Sequence, residues 1–260
     1  MGRRALALAL LILPGCMRSN FNLATQREEY TVTSTEKEVE LGRKIARKVE
    51  RELTVTADEP MQQRVRAIGE RLAAVCDRKE LVYTFTVVDD KEVNAFSLPG
   101  GYIFVNNGLI EKTKSDDELA GVIAHEIAHI SARHAVKRYE NSLALQAAQL
   151  ATVAARQGTA GAGLSVEAQA AQLAYARGDE FQADRLAVKY LRAAGFDPKG
   201  MLTFLETLRG LDRTRFLFLP RGVVRPQYAI THPYASERIR AVKEELFGVA
   251  DYIDYLNTSK

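Results

Sequence analysis

Residues 115–134 read SDDELAGVIAHEIAHISARH, and the rest of the chain is best understood from this stretch outward. Ser115 followed by Asp116, Asp117 and Glu118 is a capping box, in which the hydroxyl satisfies an orphan amide and Glu118 reaches back to the cap amide. Leu119, Val122, Ile123, Ile127 and Ile130 then recur at helical spacing. On such a helix His125 and His129 differ by about 40° around the axis. Both imidazoles project from one face and can grip one ion. Glu126 follows the first of them, where its carboxylate can reach a water on that ion. Neutral imidazole is a favoured zinc ligand, and HExxH on a helix is the pattern of a zinc site with one position left open. His134 lies five residues past His129, about 140° round a continuing helix, and reads as structural. Ala132 and Ala135 stand where a metzincin carries Gly and His, which excludes that subclass.

A third ligand must come from elsewhere. Residues 175–184 read YARGDEFQAD, and Glu180 and Asp184, four apart, share one helical face. One can bind the metal while the other orients a ligand histidine, since carboxylates behind a metal-bound imidazole fix its tautomer. Taken alone, the pair also fits a solvated acidic face.

The remaining patterns are those of an ordinary folded domain. Glu36 to about Leu53 and Met61 to Val75 show helical spacing, the second after the turn signal Asp58-Glu59-Pro60. Leu81 to Val88 is a strand ending at Asp89-Asp90, and Tyr102 to Val105 a second, entered through Pro99-Gly100-Gly101. Further helices are expected over about 167–194, capped by Gly195, from Asp197-Pro198 to about Leu208, and over about 236–246. Residues 141–164 dissolve into a Gly-rich loop at Gly158–Gly163, and residues 213–228 show no clear period; one of the two segments is expected to cover the cleft.

With 47% hydrophobic and 27% charged residues, the 260-residue chain has enough apolar content for a core and too much for disorder. Its net charge of +3 gives no reason to expect nucleic acid as a partner. The start, MGRRALALALLILPGC, pairs Arg3 and Arg4 with the apolar run Ala5 to Leu13. That run is about half of the ~20 residues a membrane-spanning helix needs, so residues 1–15 read as a signal peptide. Leu13-Pro14-Gly15-Cys16 resembles a bacterial lipobox, which makes Cys16 the lipidated first residue of the mature chain and residues 16–33 a polar tether. Loss of two arginines then leaves the mature net charge at +1. Cys76, in the apolar stretch IGERLAAVC, reads as a buried structural thiol. Met17 supplies no acidic inner-membrane retention signal, which favours the outer membrane facing the periplasm.

Several ordered motifs together resemble one gluzincin family. They are Asp117-Glu118-Leu119-Ala120 leading into HEIAH, Glu180-Phe-Gln-Ala-Asp184, Thr231-His232-Pro233 with Arg238, and Val93-Asn94-Ala95-Phe96 with Pro99-Gly100-Gly101. The chain is similar to the peptidase family of HtpX and the CAAX prenyl proteases, especially its periplasmic lipoprotein branch. Relatives with a C-terminal helical-repeat domain match only in part. The likeness runs from about Ser34 to Leu246. It implies an α+β, zincin-like fold, mainly helical, with a small antiparallel-containing sheet beside the HExxH helix. The peptidase domain is placed at 34–250 and a tail at 251–260.

By the same resemblance one Zn2+ per chain is held by His125, His129 and Glu180. Glu126 corresponds to the general base and Asp184 to the acid behind a ligand. His232 corresponds to a histidine that either stabilises the oxyanion or caps the zinc as a removable fourth ligand, with Arg238 as oxyanion support. Gly178-Asp179 departs from the family pattern and leaves room for a local distortion near Glu180. The strand Tyr102, Ile103, Phe104 and Val105 is a candidate open edge for an extended substrate. The expected activity is zinc-dependent endopeptidase action on unfolded or misassembled envelope proteins. The alternative is an assembly or chaperone-like factor, working with the outer-membrane assembly machinery, whose zinc site is largely self-inhibited.

Overall fold

The structure, a computed structural model, describes residues 18–22, 24–143, 177–218, 232 and 234–258. The signal-peptide segment, Cys16, the Gly158–Gly163 loop and most of 213–228 lie outside the described residues. The chain order is β1 (Arg18–Asn22), β2 (Arg27–Thr31), α1 (Thr35–Glu52), α2 (Glu59–Ala73), β3 (Thr84–Val88), β4 (Ala95–Leu98), β5 (Tyr102–Asn106), α3 (Asn107–Ile110) and α4 (Asp116–Ser131). A helix α5 follows at 134–143. The last three are α6 (Arg177–Ala194), α7 (Lys199–Phe218) and α8 (Ala235–Thr258). A mainly helical α+β architecture with a small sheet is what the structure shows.

Helix starts fall where the capping residues put them. Ser34 accepts from the Lys37 amide at 3.3 Å and Asp58 from the Met61 amide at 2.9 Å. At α4 the Ser115 hydroxyl accepts from the Glu118 amide at 3.2 Å. Glu118 does not return to the cap amide itself. Its Oε2 accepts from the amide one residue earlier, Lys114, at 2.8 Å, and its Oε1 accepts from the Thr203 hydroxyl of α7 at 2.9 Å. The cap therefore also docks a neighbouring helix.

From Glu118 to Ser131 every residue of α4 is buried. A helix wet on no side must be surrounded, and α2, α6, α7 and β4 enclose it. Gly121 makes the crossing with α7 close: a Cβ there would stand 2.7 Å from Met201 Cα.

The main sheet has the order β3-β5-β4, with β3 parallel and β4 antiparallel to β5. Ile103 and Val105 face the principal core, while Phe104 packs with Ala46 and Val88 and stacks on Phe96 at 5.1 Å. Gly100 and Gly101, at φ +78° and +105°, form the β4–β5 turn. This order corrects one expectation. Tyr102, Ile103, Phe104 and Val105 lie in the central strand, hydrogen-bonded on both sides, and the edge beside α4 belongs to β4. The β4–β5 hairpin delivers the earlier strand to the outside, and four residues (AFSL) are too few to announce a strand.

The stretch expected to be an irregular tether instead holds the antiparallel pair β1–β2. The Asn22 side-chain Oδ1 accepts from the Ala24 and Thr25 amides in the connecting turn. Glu140 Oε1 accepts from the Thr31 hydroxyl and the Thr33 amide, tying the hairpin exit to α5. α8 runs past the expected end near Leu246, with Gly248 breaking the helical dihedrals at φ +72°. Cys76 is buried, as expected, and its Sγ donates to the Tyr83 hydroxyl at 3.3 Å. Among the described residues no helix is long and apolar enough to cross a membrane.

Candidate metal centre

One turn of α4 brings His125 and His129 together, with their Nε2 atoms 3.0 Å apart. Helix α6 lies across them and presents Glu180, whose Oε2 is 3.4 Å from His125 Nε2 and whose Oε1 is 3.4 Å from His129 Nε2. His232 closes the group, with Nδ1 3.3 Å from His125 Nε2 and 3.2 Å from Glu180 Oε1. All four residues are buried, and one donor atom from each lies within 4.8 Å of the others.

These distances fit a metal. Four ligands 2.0–2.1 Å from a tetrahedral ion stand about 3.3 Å apart, and the contacts run from 3.0 to 3.4 Å. Lone-pair atoms brought so close away from water repel unless a proton or a metal ion lies between them. The donor set of three imidazoles and one carboxylate is zinc chemistry.

Behind the ligands, Asp184 Oδ1 stands 2.9 Å from His125 Nδ1. An imidazole that donates there turns its Nε2 lone pair toward the other three donors. Arg238, from α8, donates through Nε and Nη2 to the Asp184 carboxylate at 2.9 and 2.7 Å, and its Nη1 pairs with Glu180 Oε2 at 2.9 Å. The sequence suggested oxyanion support for Arg238. The structure commits its guanidinium, 1% exposed, to two carboxylates instead, because α8 packs against α6. Burial raises the carboxyl pKa of Asp184, but the Arg238 charge together with hydrogen bonds from His125 and Arg238 holds that pKa below the usual range. Glu180 is held well down in the same way, against burial, by the His232 and Arg238 charges. Burial and the Arg238 charge act to lower His125, but hydrogen bonds to Asp184 and Glu180 prevail and push it up to about 9. Burial and the His125 charge push His129 well down.

Two contacts were missed. Ser97 of β4, not singled out by any motif, donates its hydroxyl to Glu126 Oε2 at 2.8 Å in a buried contact. Only its place in the stretch leading to Pro99-Gly100-Gly101 marked it. Glu126 Oε1 is left as an acceptor 3.4 Å from His232 Nε2. His134, read as lying off the ligand face, stands with Nδ1 2.9 Å from His129 Nδ1. It stays outside the donor group, as read, but comes to lie behind His129 because α4 stops at Ser131 and Arg133 adopts φ +58°. The feared distortion at Gly178-Asp179 is absent from α6, which is helical from Arg177 onward. Thr231 and Pro233 lie outside the described residues.

A buried HExxH helix, a crossing helix that adds a glutamate and a carboxylate behind the first histidine define a metal-dependent hydrolase site of the gluzincin type. The chain belongs to peptidase family M48, whose family model matches residues 59–246. It is similar to the beta-barrel assembly-enhancing protease of Yersinia pestis, 30% identical over 79% of this chain and 43% of that protein. It also resembles the mitochondrial metalloendopeptidase OMA1 of Schizosaccharomyces pombe, 30% identical over 70% of this chain and 52% of that one. The metalloprotease YcaL of Escherichia coli is 28% identical over 62% and 61% of the two chains. The first two relatives are thus matched over about half of their own length.

Proposed function

We propose that the chain is a membrane-tethered zinc endopeptidase acting on unfolded or misassembled proteins of the bacterial envelope. The observation that carries the peptidase reading is the convergence of His125, His129 and Glu180 beside Glu126, all buried. When bound, zinc supplies a Lewis acid that polarises the scissile carbonyl and acidifies water. Glu126 takes the proton of the attacking water and passes it to the leaving amine. Ser97 fixes one oxygen of that carboxylate and leaves Oε1 for the transfer. Asp184 holds His125 in its metal-binding tautomer, and Arg238 neutralises the carboxylates behind it. An extended substrate pairs with the outer edge of β4, unpaired among the described residues, through main-chain hydrogen bonds, which selects unfolded segments over particular side chains.

The envelope setting rests on the lipobox-like Leu13–Cys16 and on a relative named for beta-barrel assembly. The lipid on Cys16 supplies the tether, and the outer membrane facing the periplasm is the proposed site. Exchange of Glu126→Gln tests the activity: zinc content should persist while cleavage of an unfolded protein falls by roughly 100- to 10,000-fold. Cleavage at the wild-type rate overturns the reading. Exchange of Cys16→Ser should release the chain from the membrane fraction; unchanged sedimentation removes the tether.

One observation favours a second reading. His232 Nδ1 sits among the ligands, so this arrangement is capped and turnover requires the imidazole to withdraw. A chain that stays capped acts mainly by binding clients, as an assembly factor. Exchange of His232→Ala should accelerate peptide cleavage if the cap is inhibitory and slow it if the imidazole serves the oxyanion.

A further inference from the structure

We propose that His134 is a positioning residue for the metal ligand His129, and that Gln182 of α6 completes a neutral relay behind it. The proposal rests on the zinc reading given above. His134 is 0% exposed, so its ring meets no substrate. Its Nδ1 lies 2.9 Å from His129 Nδ1, and its Nε2 lies 3.0 Å from Gln182 Oε1.

The proton positions follow from the acceptors. His129 Nε2 stands in the ligand cluster, 3.0 Å from His125 Nε2 and 3.4 Å from Glu180 Oε1, and keeps its lone pair for the metal. Its proton is therefore on Nδ1 and is donated to His134 Nδ1. That atom must accept, so the His134 proton is on Nε2 and is donated to the Gln182 amide oxygen. Each of the two protons has an acceptor within 3.0 Å, and the direction of both bonds is set by the metal end. Asp179 Oδ1, 3.6 Å from His134 Nε2, faces the same N–H. The relay fixes the ring plane of His129 as Asp184 fixes that of His125, but with an uncharged group.

The experiment measures zinc affinity by chelator competition on the full chain, with thermal melting of each metal-free variant as a check on folding. Asn places an amide oxygen close to where the His Nδ1 stands. Exchange of His134→Ala should weaken zinc binding by roughly 10- to 100-fold, while His134→Asn should stay within about threefold of wild type. Cobalt-loaded protein gives the structural control, because its visible absorption follows ligand geometry: the Ala variant should shift it and the Asn variant restore it. Equal affinity in folded Ala and wild-type proteins overturns the relay, as does equal loss in Ala and Asn. If the Ala variant fails to fold, the half-buried Gln182→Leu exchange decides: weaker zinc binding supports the relay and wild-type binding overturns it. A wild-type chain that binds no zinc removes the proposed function itself, a result distinct from all of these.

Discussion

His125 and His129 sit one turn apart on the same helix, yet they lean on opposite kinds of support. Behind His125 is a charged layer, Asp184 and then Arg238. Behind His129 stands a neutral imidazole and, beyond it, an amide. A carboxylate raises the basicity of the imidazole it holds, and a neutral acceptor mainly fixes its orientation. The difference shows in their proton affinities: His125 is pushed up to about 9, whereas burial and its charged neighbour push His129 well down. On the zinc reading, one imidazole of the pair is held basic and the other only held still.

The charged side should break first. Replacing Arg238 with Leu leaves the buried Asp184 and Glu180 carboxylates without their cation, and breaking such a pair costs about 3–5 kcal/mol. Urea unfolding of the metal-free protein should show that loss, and the Arg238→Leu, Asp184→Leu double exchange should recover part of it. Exchange of Asp184→Asn keeps an acceptor for His125 but removes its charge, so zinc affinity should fall by about tenfold in a chelator competition. A loss no greater than that of His134→Asn would erase the distinction between the two supports.

Smaller effects refine the comparison. Ser97→Ala removes a hydrogen bond to the general base, worth roughly 1.5 kcal/mol for a charged acceptor, so kcat should drop by about tenfold while zinc affinity stays fixed. The proton on His125 competes with zinc. Apparent zinc affinity should therefore climb with pH and level off near 9, and in Asp184→Asn the plateau should arrive at lower pH. Isothermal titration across pH 6 to 9.5 at about half-unit steps checks the sign.

The parts of this site that could be read in the sequence are those encoded locally. The capping box, the helical period and the HExxH spacing all lie within residues 115–130, and they placed α4 and set its two histidines on one face. Glu180 and Asp184 came as a pair from their spacing, but their separate roles came only from resemblance, because the crossing of α6 over α4 is a tertiary fact. The sheet order was not legible: which strand becomes the edge depends on how β4 and β5 turn, not on their composition. Strands β1 and β2, RSNFN and REEYT, carry too few apolar residues for alternation to show. The contact of His134 with His129 was not legible, because nothing in Ser-Ala-Arg-His announces a stop and the residue taking the left-handed conformation is an arginine rather than a glycine.

What holds that arginine is far away in the chain. Arg133 Nη2 donates to the Thr33 carbonyl at 2.6 Å, and its Nε pairs with Glu38 Oε2 at 3.0 Å. The same buried Glu38 carboxylate accepts from Arg78 Nη1 at 2.8 Å and from the Gly100 amide at 3.3 Å. The turn that swings His134 onto His129 is thus completed only when α1 has docked. The geometry behind His129 is therefore linked to the seating of the amino-terminal helix, and an exchange that loosens α1 should also disturb the metal centre.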